Sequence, residues 1–282
     1  MTSKRALLVA RVGDESLHPA WIRGQAYRER VFDLHLSYFG DREEPFGAML
    51  GETTLSFEKG GKWDGLHACL SKLGAKLSAY EWICLPDDDL WADAPTWSRF
   101  FDLLDVLKPR IAQPALKGNS FYSHDITLQR KGCAARWTNF VEVMCPAFKR
   151  DALLPALEMI ASYKTGWGLD YVWQRQAQGS QRALAIIDAT PVLHTRAVRS
   201  GSLYKHATDD GPEAEMERLA PAHSRQRPRA YHAVDDAGRP ISYFGLNRRL
   251  IAPRHLSKER KRHAVKMVHP DLLKQTIYDQ PY

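Results

Sequence analysis

Cysteine is scarce in this chain: four in 282 residues, at Cys69, Cys84, Cys133 and Cys145. Their wide spacing forms neither a zinc site nor a redox pair, and three lie in apolar-looking stretches. Reduced, mostly buried thiols in a cytoplasmic protein are the expectation. Long apolar runs are also missing. None approaches the roughly 20 residues of a membrane span. The run from Ala6 to Ala10, behind a basic start, is too short for a signal-peptide core and reads as a first strand. No Gly-x-Gly-x-x-Gly follows that strand, where Arg11-Val12-Gly13-Asp14-Glu15-Ser16 stands instead, which argues against a dinucleotide oxidoreductase. There is no internal repeat. What remains is an ordinary composition, 44% hydrophobic and 26% charged, long enough to bury one large domain or two small ones.

The most informative stretch is Tyr80-Glu81-Trp82-Ile83-Cys84-Leu85-Pro86-Asp87-Asp88-Asp89-Leu90-Trp91. Its apolar run is short and continuous, as in a strand buried on both faces of a parallel sheet. Pro86 cannot donate to a ladder and marks the strand's end. The acids then fall where open α/β sheets bind ligands, in the crevice beyond the strands' carboxyl ends. Three adjacent carboxylates repel one another unless a cation or solvent relieves them. A hard divalent ion, Mg²⁺ or Mn²⁺, sharing oxygens with a substrate phosphate is one resolution; a solvated acidic turn capping the next helix is the other. Asp87 and Asp89 also fit the Asp-x-Asp pattern of nucleotide-sugar transferases. A haloacid-dehalogenase-type phosphatase would need Thr or Val at the fifth position of its acidic motif, where this chain has Trp91.

Taken in order, the pattern predicts a buried strand over 5–12, a helix or loop and helix over 16–30, and an alternating strand over 32–39. A short strand at 55–58 and a helix over 63–76 follow. After the acidic strand a helix starts at Asp93 or Ala94 with Pro95 in its first turn. Strands are expected at 111–115 and 140–145, the latter antiparallel or at an edge, then a helix over 149–163. Gly166-Trp167-Gly168-Leu169-Asp170 reads as a turn into a helix ending near 178, and strands at 184–188 and 192–194 finish the core. This alternation argues a doubly wound α/β sheet flanked by helices. Beyond Thr195 the sequence reads as an irregular wrap or a partly disordered segment.

The net charge of +7 is unevenly placed. Residues 1–194 hold 23 Lys and Arg against 23 Asp and Glu, whereas residues 195–282 hold 17 against 10. That asymmetry divides the chain into a domain over 1–195 and a basic extension over 196–282 that meets something acidic. Within it, Arg248 to Lys266 carries eight Lys and Arg against Glu259 alone. Peripheral contact with an anionic membrane and a plainly solvated basic face are both open readings. Nucleic acid is not expected, because it would leave the acidic strand end unexplained.

Several segments taken together carry a resemblance: residues 8–19, the acidic strand end, Ala-Gln-Pro-Ala-Leu (112–116), Phe-Val-Glu-Val-Met-Cys-Pro-Ala-Phe (140–148), Gly-Trp-Gly-Leu-Asp (166–170) and Val-Leu-His (192–194). In that order they resemble an uncharacterised family of bacteria and plants, some of whose plant members are labelled lysine-ketoglutarate reductase trans-splicing related. The resemblance covers about residues 5–196. The same landmarks are similar to the GT-A fold of metal-dependent glycosyltransferases. The fold implied is a GT-A-like, Rossmann-type mixed sheet with an irregular basic C-terminal extension. In members resembling the inverting β-1,4-galactosyltransferases, a Gly-Trp-Gly-rich turn leads to the catalytic acid and a later His completes the metal site. Asp170 and His194 match those positions. Galactosyltransferases carry several acids after that turn and this chain has one, so sugar and acceptor do not carry over.

The resemblance and the residues together imply Mn²⁺ or Mg²⁺ as cofactor and a UDP- or GDP-sugar as donor. The acceptor would be a hydroxyl on a glycan, a lipid-linked glycan or another molecule. Asp89 and His194 would ligate the ion, and Asp87 would reach it through water or hold the ribose beside Asp88. Asp170 would be the general base, and Trp167 would stack on a sugar face. Arg11, Asp41 and Lys62, at strand ends and a helix start, are candidates for the nucleotide, and Glu142 for the acceptor. Plainer roles stand beside these: a helix cap for Asp170, core for Trp167, a structural imidazole for His194, and mutual pairing for Arg11 and Asp41. A non-catalytic nucleotide-sugar or polyanion binder and a metal-dependent phosphohydrolase are the alternative functions.

Overall fold

The computed structural model describes residues 4–45, 52–176, 179–197, 211–221, 224–242 and 245. The first half comprises β1 (Ala6–Val12), α1 (His18–Trp21), β2 (Phe32–Tyr38), β3 (Thr53–Phe57), α2 (Lys62–Leu73), β4 (Trp82–Cys84), β5 (Leu90–Trp91) and α3 (Ala94–Leu107). There follow β6 (Ile111–Leu116), β7 (Ala135–Thr138), β8 (Ala147–Lys149), α4 (Arg150–Ile160), α5 (Leu169–Gln176), β9 (Leu184–His194), α6 (Gly211–Leu219) and β10 (Ala230–Val234). The strands make one mixed sheet in the order β10-β7-β9-β6-β8-β4-β1-β2-β3, and β5 pairs with β9 off that path. Strands β3, β2, β1 and β4 are parallel neighbours. Strand β8 runs antiparallel between β4 and β6.

Every residue of β1 is buried. Its even positions, Ala6, Leu8, Ala10 and Val12, pack with Trp97, Phe100, Phe101 and Leu104 of α3. Leu7 and Val9 belong to the opposite face, with Trp63, Leu66 and Leu70 of α2 and Leu153 and Ile160 of α4. With helices over both faces, a continuous apolar run is what such a strand needs. Helix α3 starts where its signals placed it: Asp93 Oδ1 accepts from the Thr96 backbone N–H at 3.0 Å, with Pro95 in the first turn.

Three expected elements differ. The helix, or loop and helix, expected across 16–30 is a single turn, α1, and a 3-10 turn at Tyr27–Glu29. Gly24, at φ 81°, breaks any longer helix between them. The strand expected at 140–145 is absent. Thr138 turns the chain by donating its hydroxyl to Phe140 O at 2.6 Å, and the carbonyls of Met144 and Pro146 accept from Asp87 and Leu85. Strand character goes instead to β7 and β8 on either side. Finally, the two pieces at 184–188 and 192–194 are one strand, β9. A register shift between Pro114 and Leu116 of β6 absorbs the residues around Pro191.

The division drawn after Thr195 does not coincide with the edge of the sheet. Helix α6 and β10 lie beyond it, and β10 pairs antiparallel with β7. The basic run from Arg248 to Lys266 lies outside the described residues. Among the described residues no helix is long and apolar enough to cross a membrane. All four cysteines are free and buried.

Candidate active site

The site forms around the segment that joins β4 to β5. Strand β5 is only two residues long, but its antiparallel register on β9 pairs Leu90 with His194. The Thr195 backbone N–H and hydroxyl both donate to Asp89 O, at 3.1 and 2.8 Å. Asp89 and His194, 105 positions apart in sequence, are thereby set face to face, with Nε2 to Oδ2 at 3.2 Å.

Each of the three acids has its own partner. Asp87 pairs with Lys62 Nζ at 2.5 Å, and the same ammonium donates to Val143 O at 2.6 Å. Asp88 accepts from the Gly13 backbone N–H at 3.0 Å and from Arg196 at 3.1 Å. Asp89 faces His194. The repulsion expected of three adjacent carboxylates is thus relieved by cations from α2, from the end of β9 and from the chain just beyond it. Burial still pushes Asp87 upward against Lys62, and takes Asp88 to about 7 against Arg196. At Asp89 burial acts upward too, but the charge and hydrogen bond of His194 outweigh it and the carboxyl falls below its usual range. His194 responds reciprocally: burial opposes its charge, yet Asp89 raises it to about 9.

The imidazole is oriented by its other nitrogen. His194 Nδ1 lies 2.9 Å from Phe121 O. A carbonyl only accepts, so Nδ1 carries hydrogen and Nε2 points to Asp89. Asp89 Oδ1 is buried and has no hydrogen-bond partner among the described residues, as is the case for Glu142 Oε2. Glu142 sits in the irregular segment between β7 and β8, not on a strand, and its backbone N–H donates to Gln113 Oε1 at 2.5 Å. Burial raises its carboxyl to about 7, with His194, Asp170, Asp87 and Lys62 all within electrostatic range. Among the described residues no three His, Cys, Asp or Glu side chains form a metal-holding group by themselves.

Asp170, in the first turn of α5, is buried, and its Oδ1 accepts from the Tyr171 backbone N–H at 3.0 Å. Burial raises it to about 7, against that hydrogen bond and the charge of Arg225. The turn that delivers it is fixed by sterics. Gly166 and Gly168 have φ of 81° and 99°, and a Cβ on Gly166 would overlap the Trp63 indole. Glu215 of α6 closes the turn, accepting from the backbone N–H groups of Lys164, Thr165 and Gly166 at 2.7, 3.1 and 2.9 Å. The segment beyond residue 195 therefore braces the turn that leads to Asp170.

Lys62, Asp87, Asp89, Glu142, Asp170 and His194 come together, while Asp88 turns to Gly13 and Arg196. Arg11 is buried and spends its donors on Ser37 Oγ at 2.9 Å, Glu58 O at 2.8 Å and Gly60 O at 3.0 Å. Asp41 is almost fully exposed and pairs with Lys59 at 2.7 Å, not with Arg11. Trp167 is half-buried, its backbone N–H donating to Thr165 Oγ1 at 3.3 Å. Sequence reasoning missed Arg196, which joins Asp88 to Glu15 O, and His124, whose Nε2 lies 3.8 Å from Asp170 Oδ2. His124 had a readable signal, since it follows the carboxyl end of a core strand. Arg196 had none.

The comparisons fit this architecture. A family model described as a protein of unknown function (DUF707) matches residues 130–233, running past the end of the stretch that carries the family resemblance. A search of curated proteins finds no match. Among solved structures, residues 1–349 of S. aureus TarS in complex with UDP-GlcNAc align with a TM-score of 0.50 at 12% identity, over 78% of this chain and 69% of that one. GalNAc-T7 with UDP, GalNAc and Mn²⁺ aligns with a TM-score of 0.53 at 10% identity, over 76% of this chain and 48% of that one. This chain therefore spans about half the length of GalNAc-T7. Both neighbours are GT-A glycosyltransferases. The fold is GT-A-like.

Proposed function

We propose that this protein is a metal-dependent glycosyltransferase that moves a sugar from a nucleoside-diphosphate sugar to a hydroxyl acceptor with inversion. The observation that carries the reading is the β5–β9 pairing, which sets His194 against Asp89 while Asp170 and His194 both lie within electrostatic range of Glu142. The GT-A-like sheet supports it at the level of fold. The residues fit a divalent ion. Asp89 Oδ1 is a buried oxygen with no hydrogen-bond partner among the described residues, and with Nδ1 tied to Phe121 O the Nε2 of His194, which faces Asp89, would ligate the ion by giving up its proton. An imidazole ligand favours Mn²⁺ over Mg²⁺. Asp89 and His194 would hold the ion directly and Asp87 through water or by way of the ribose, with diphosphate oxygens completing the shell. When bound, the ion supplies Lewis-acid neutralisation of charge on the leaving diphosphate.

The chain's own residues do the rest. Lys62, at the start of α2, binds phosphate, and Asp170 takes the proton of the acceptor hydroxyl. Glu142 orients that acceptor and Trp167 stacks on a sugar. Residues 1–195 carry this apparatus, and the extension braces it through Glu215. The basic run 248–266 meets anionic lipid, so full-length protein should co-sediment with anionic but not neutral vesicles, and less as salt rises.

Thermal unfolding with UDP and Mn²⁺ tests the core of the reading. A ligand at about 100 times its Kd stabilises by roughly 2.7 kcal/mol, on the order of 5 °C or more for a chain of this size. That shift should need both UDP and Mn²⁺ and vanish in Asp89→Asn, which keeps the shape but not the charge. Full metal-dependent stabilisation of Asp89→Asn by UDP would sink the assignment.

A further inference from the structure

We infer that His124 is a positioning residue for Asp170, donating from Nε2 to Asp170 Oδ2 and holding that carboxylate in the orientation that receives the acceptor's proton. The inference rests on the reading of Asp170 as general base. Asp170 Oδ1 is already taken by the Tyr171 backbone N–H at 3.0 Å. Its other oxygen, Oδ2, faces His124 Nε2 at 3.8 Å. That separation is longer than a hydrogen bond, and catalytic hydrogen bonds in ligand-free enzymes are commonly long until substrate closes them. An oxygen has two lone pairs, so Oδ2 can accept from His124 and still take a proton. In the transfer step the acceptor O–H breaks and its proton passes to Oδ2. The acceptor oxygen bonds to the anomeric carbon, and the bond from that carbon to the diphosphate breaks with its electron pair.

His124 is held as a positioning group has to be. Its ring packs on Phe140 with centroids 4.6 Å apart and lies edge-on to Tyr171 at 6.5 Å. Its carbonyl accepts from the Thr127 backbone N–H at 3.0 Å and hydroxyl at 2.7 Å. Arg136 pins the following residues by donating to Ile126 O at 2.7 Å and Leu128 O at 3.0 Å. The same connection from β6 touches His194 through Phe121 O, so one loop orients a residue of the metal side and one of the acceptor side. Burial lowers His124 below the usual imidazole range, against the nearby Asp125, so the donor is a neutral imidazole. The other ionisable groups facing Asp170 are Glu142, Arg225, Tyr163 and Tyr171. Of these, Arg225 is engaged with Glu217 at 2.6 Å and lies over the Tyr171 ring.

Nuclear magnetic resonance of the labelled full-length protein reads the contact without any substrate. The imidazole nitrogen spectrum should show His124 with hydrogen on Nε2 in the wild type and lose that preference in Asp170→Asn. The Asp170 carboxyl carbon should titrate about one pH unit higher in His124→Phe, which keeps the ring packing but cannot donate. In His124→Gln, whose amide N–H can reach the same oxygen, the titration should return toward the wild-type value. A merely structural role would lower the melting temperature without moving that titration. Hydrogen on Nδ1 in the wild type, or one Asp170 titration common to all three proteins, overturns the inference. If His124→Phe does not fold, the wild-type and Asp170→Asn spectra still decide. Transfer lost in Asp170→Asn beside an indifferent titration overturns the role of His124 and leaves the general base intact. Wild-type transfer by Asp170→Asn overturns the general base, and this inference with it.

Discussion

Asp170→Asn should slow sugar transfer by about 10²- to 10⁴-fold, the range over which a positioned general base acts, while metal-dependent UDP binding persists. The substitution keeps the side chain's shape and the bond from the Tyr171 N–H to Oδ1, but an amide cannot accept the acceptor's proton. As the proposed general base Asp170 would work only as a carboxylate, and burial has raised it to about 7, so transfer in the wild type should rise with pH through about 7. Glu142, raised by burial into the same window, titrates with it, so the acid limb of a rate–pH profile belongs to the pair. A product with the donor's own anomeric configuration would remove the inverting mechanism, and undiminished transfer by the Asn variant would remove the base.

The second large effect lies away from the chemistry. Arg136 and Asp188 are fully buried and bidentate, with Nε to Oδ2 at 2.8 Å and Nη2 to Oδ1 at 3.0 Å. Asp188 also accepts from the Arg130 backbone N–H at 2.7 Å. Asp188→Ala strands a buried guanidinium and should cost about 3–5 kcal/mol in denaturant unfolding, lowering the melting temperature by roughly 10 °C. Arg136→Met combined with Asp188→Leu should recover much of that loss, since an apolar pair of similar volume leaves no buried charge. The double variant should still impair transfer, because the carbonyls of Ile126 and Leu128 lose the donors that hold the His124 loop. A single variant as stable as the wild type would show that the pair holds nothing together.

The elements that read clearly from sequence are those whose pattern is dictated by burial alone. Strand β1 is a continuous apolar run because α3 covers one face and α2 with α4 the other. Helix α3 carries its own start signal in Asp93 and Pro95. The acidic strand end was legible for the same reason, since the short continuous apolar run of β4 leads directly into the three carboxylates. Elements set by long-range contact were not legible. The residues 140–145 are largely apolar and valine-rich like a strand, yet Thr138 turns the chain and their backbone serves the acidic segment instead. Nothing in Ala230–Val234 announces that it will add to β7, or in Glu215 that its carboxylate will fill the turn at 164–166.

The same division holds for the site. The residue types and their order along the chain were fixed by covalent sequence: three acids after a buried strand, a glycine turn before Asp170, and a histidine at the end of a late strand. Their partners were not. Lys62 reaches Asp87, Arg196 reaches Asp88 and His194 reaches Asp89 only because α2 and β9 are brought to the end of β4. Which carboxylates are raised and which lowered follows from that pairing and from burial, both properties of the packed molecule. Arg11 and Asp41 show the converse. Each stands near a strand end in the sequence, but tertiary packing turned one inward onto backbone carbonyls and left the other in solvent beside Lys59. Local sequence sets the backbone's course through steric and burial preferences; which charges meet depends on strand register, which only the assembled sheet defines.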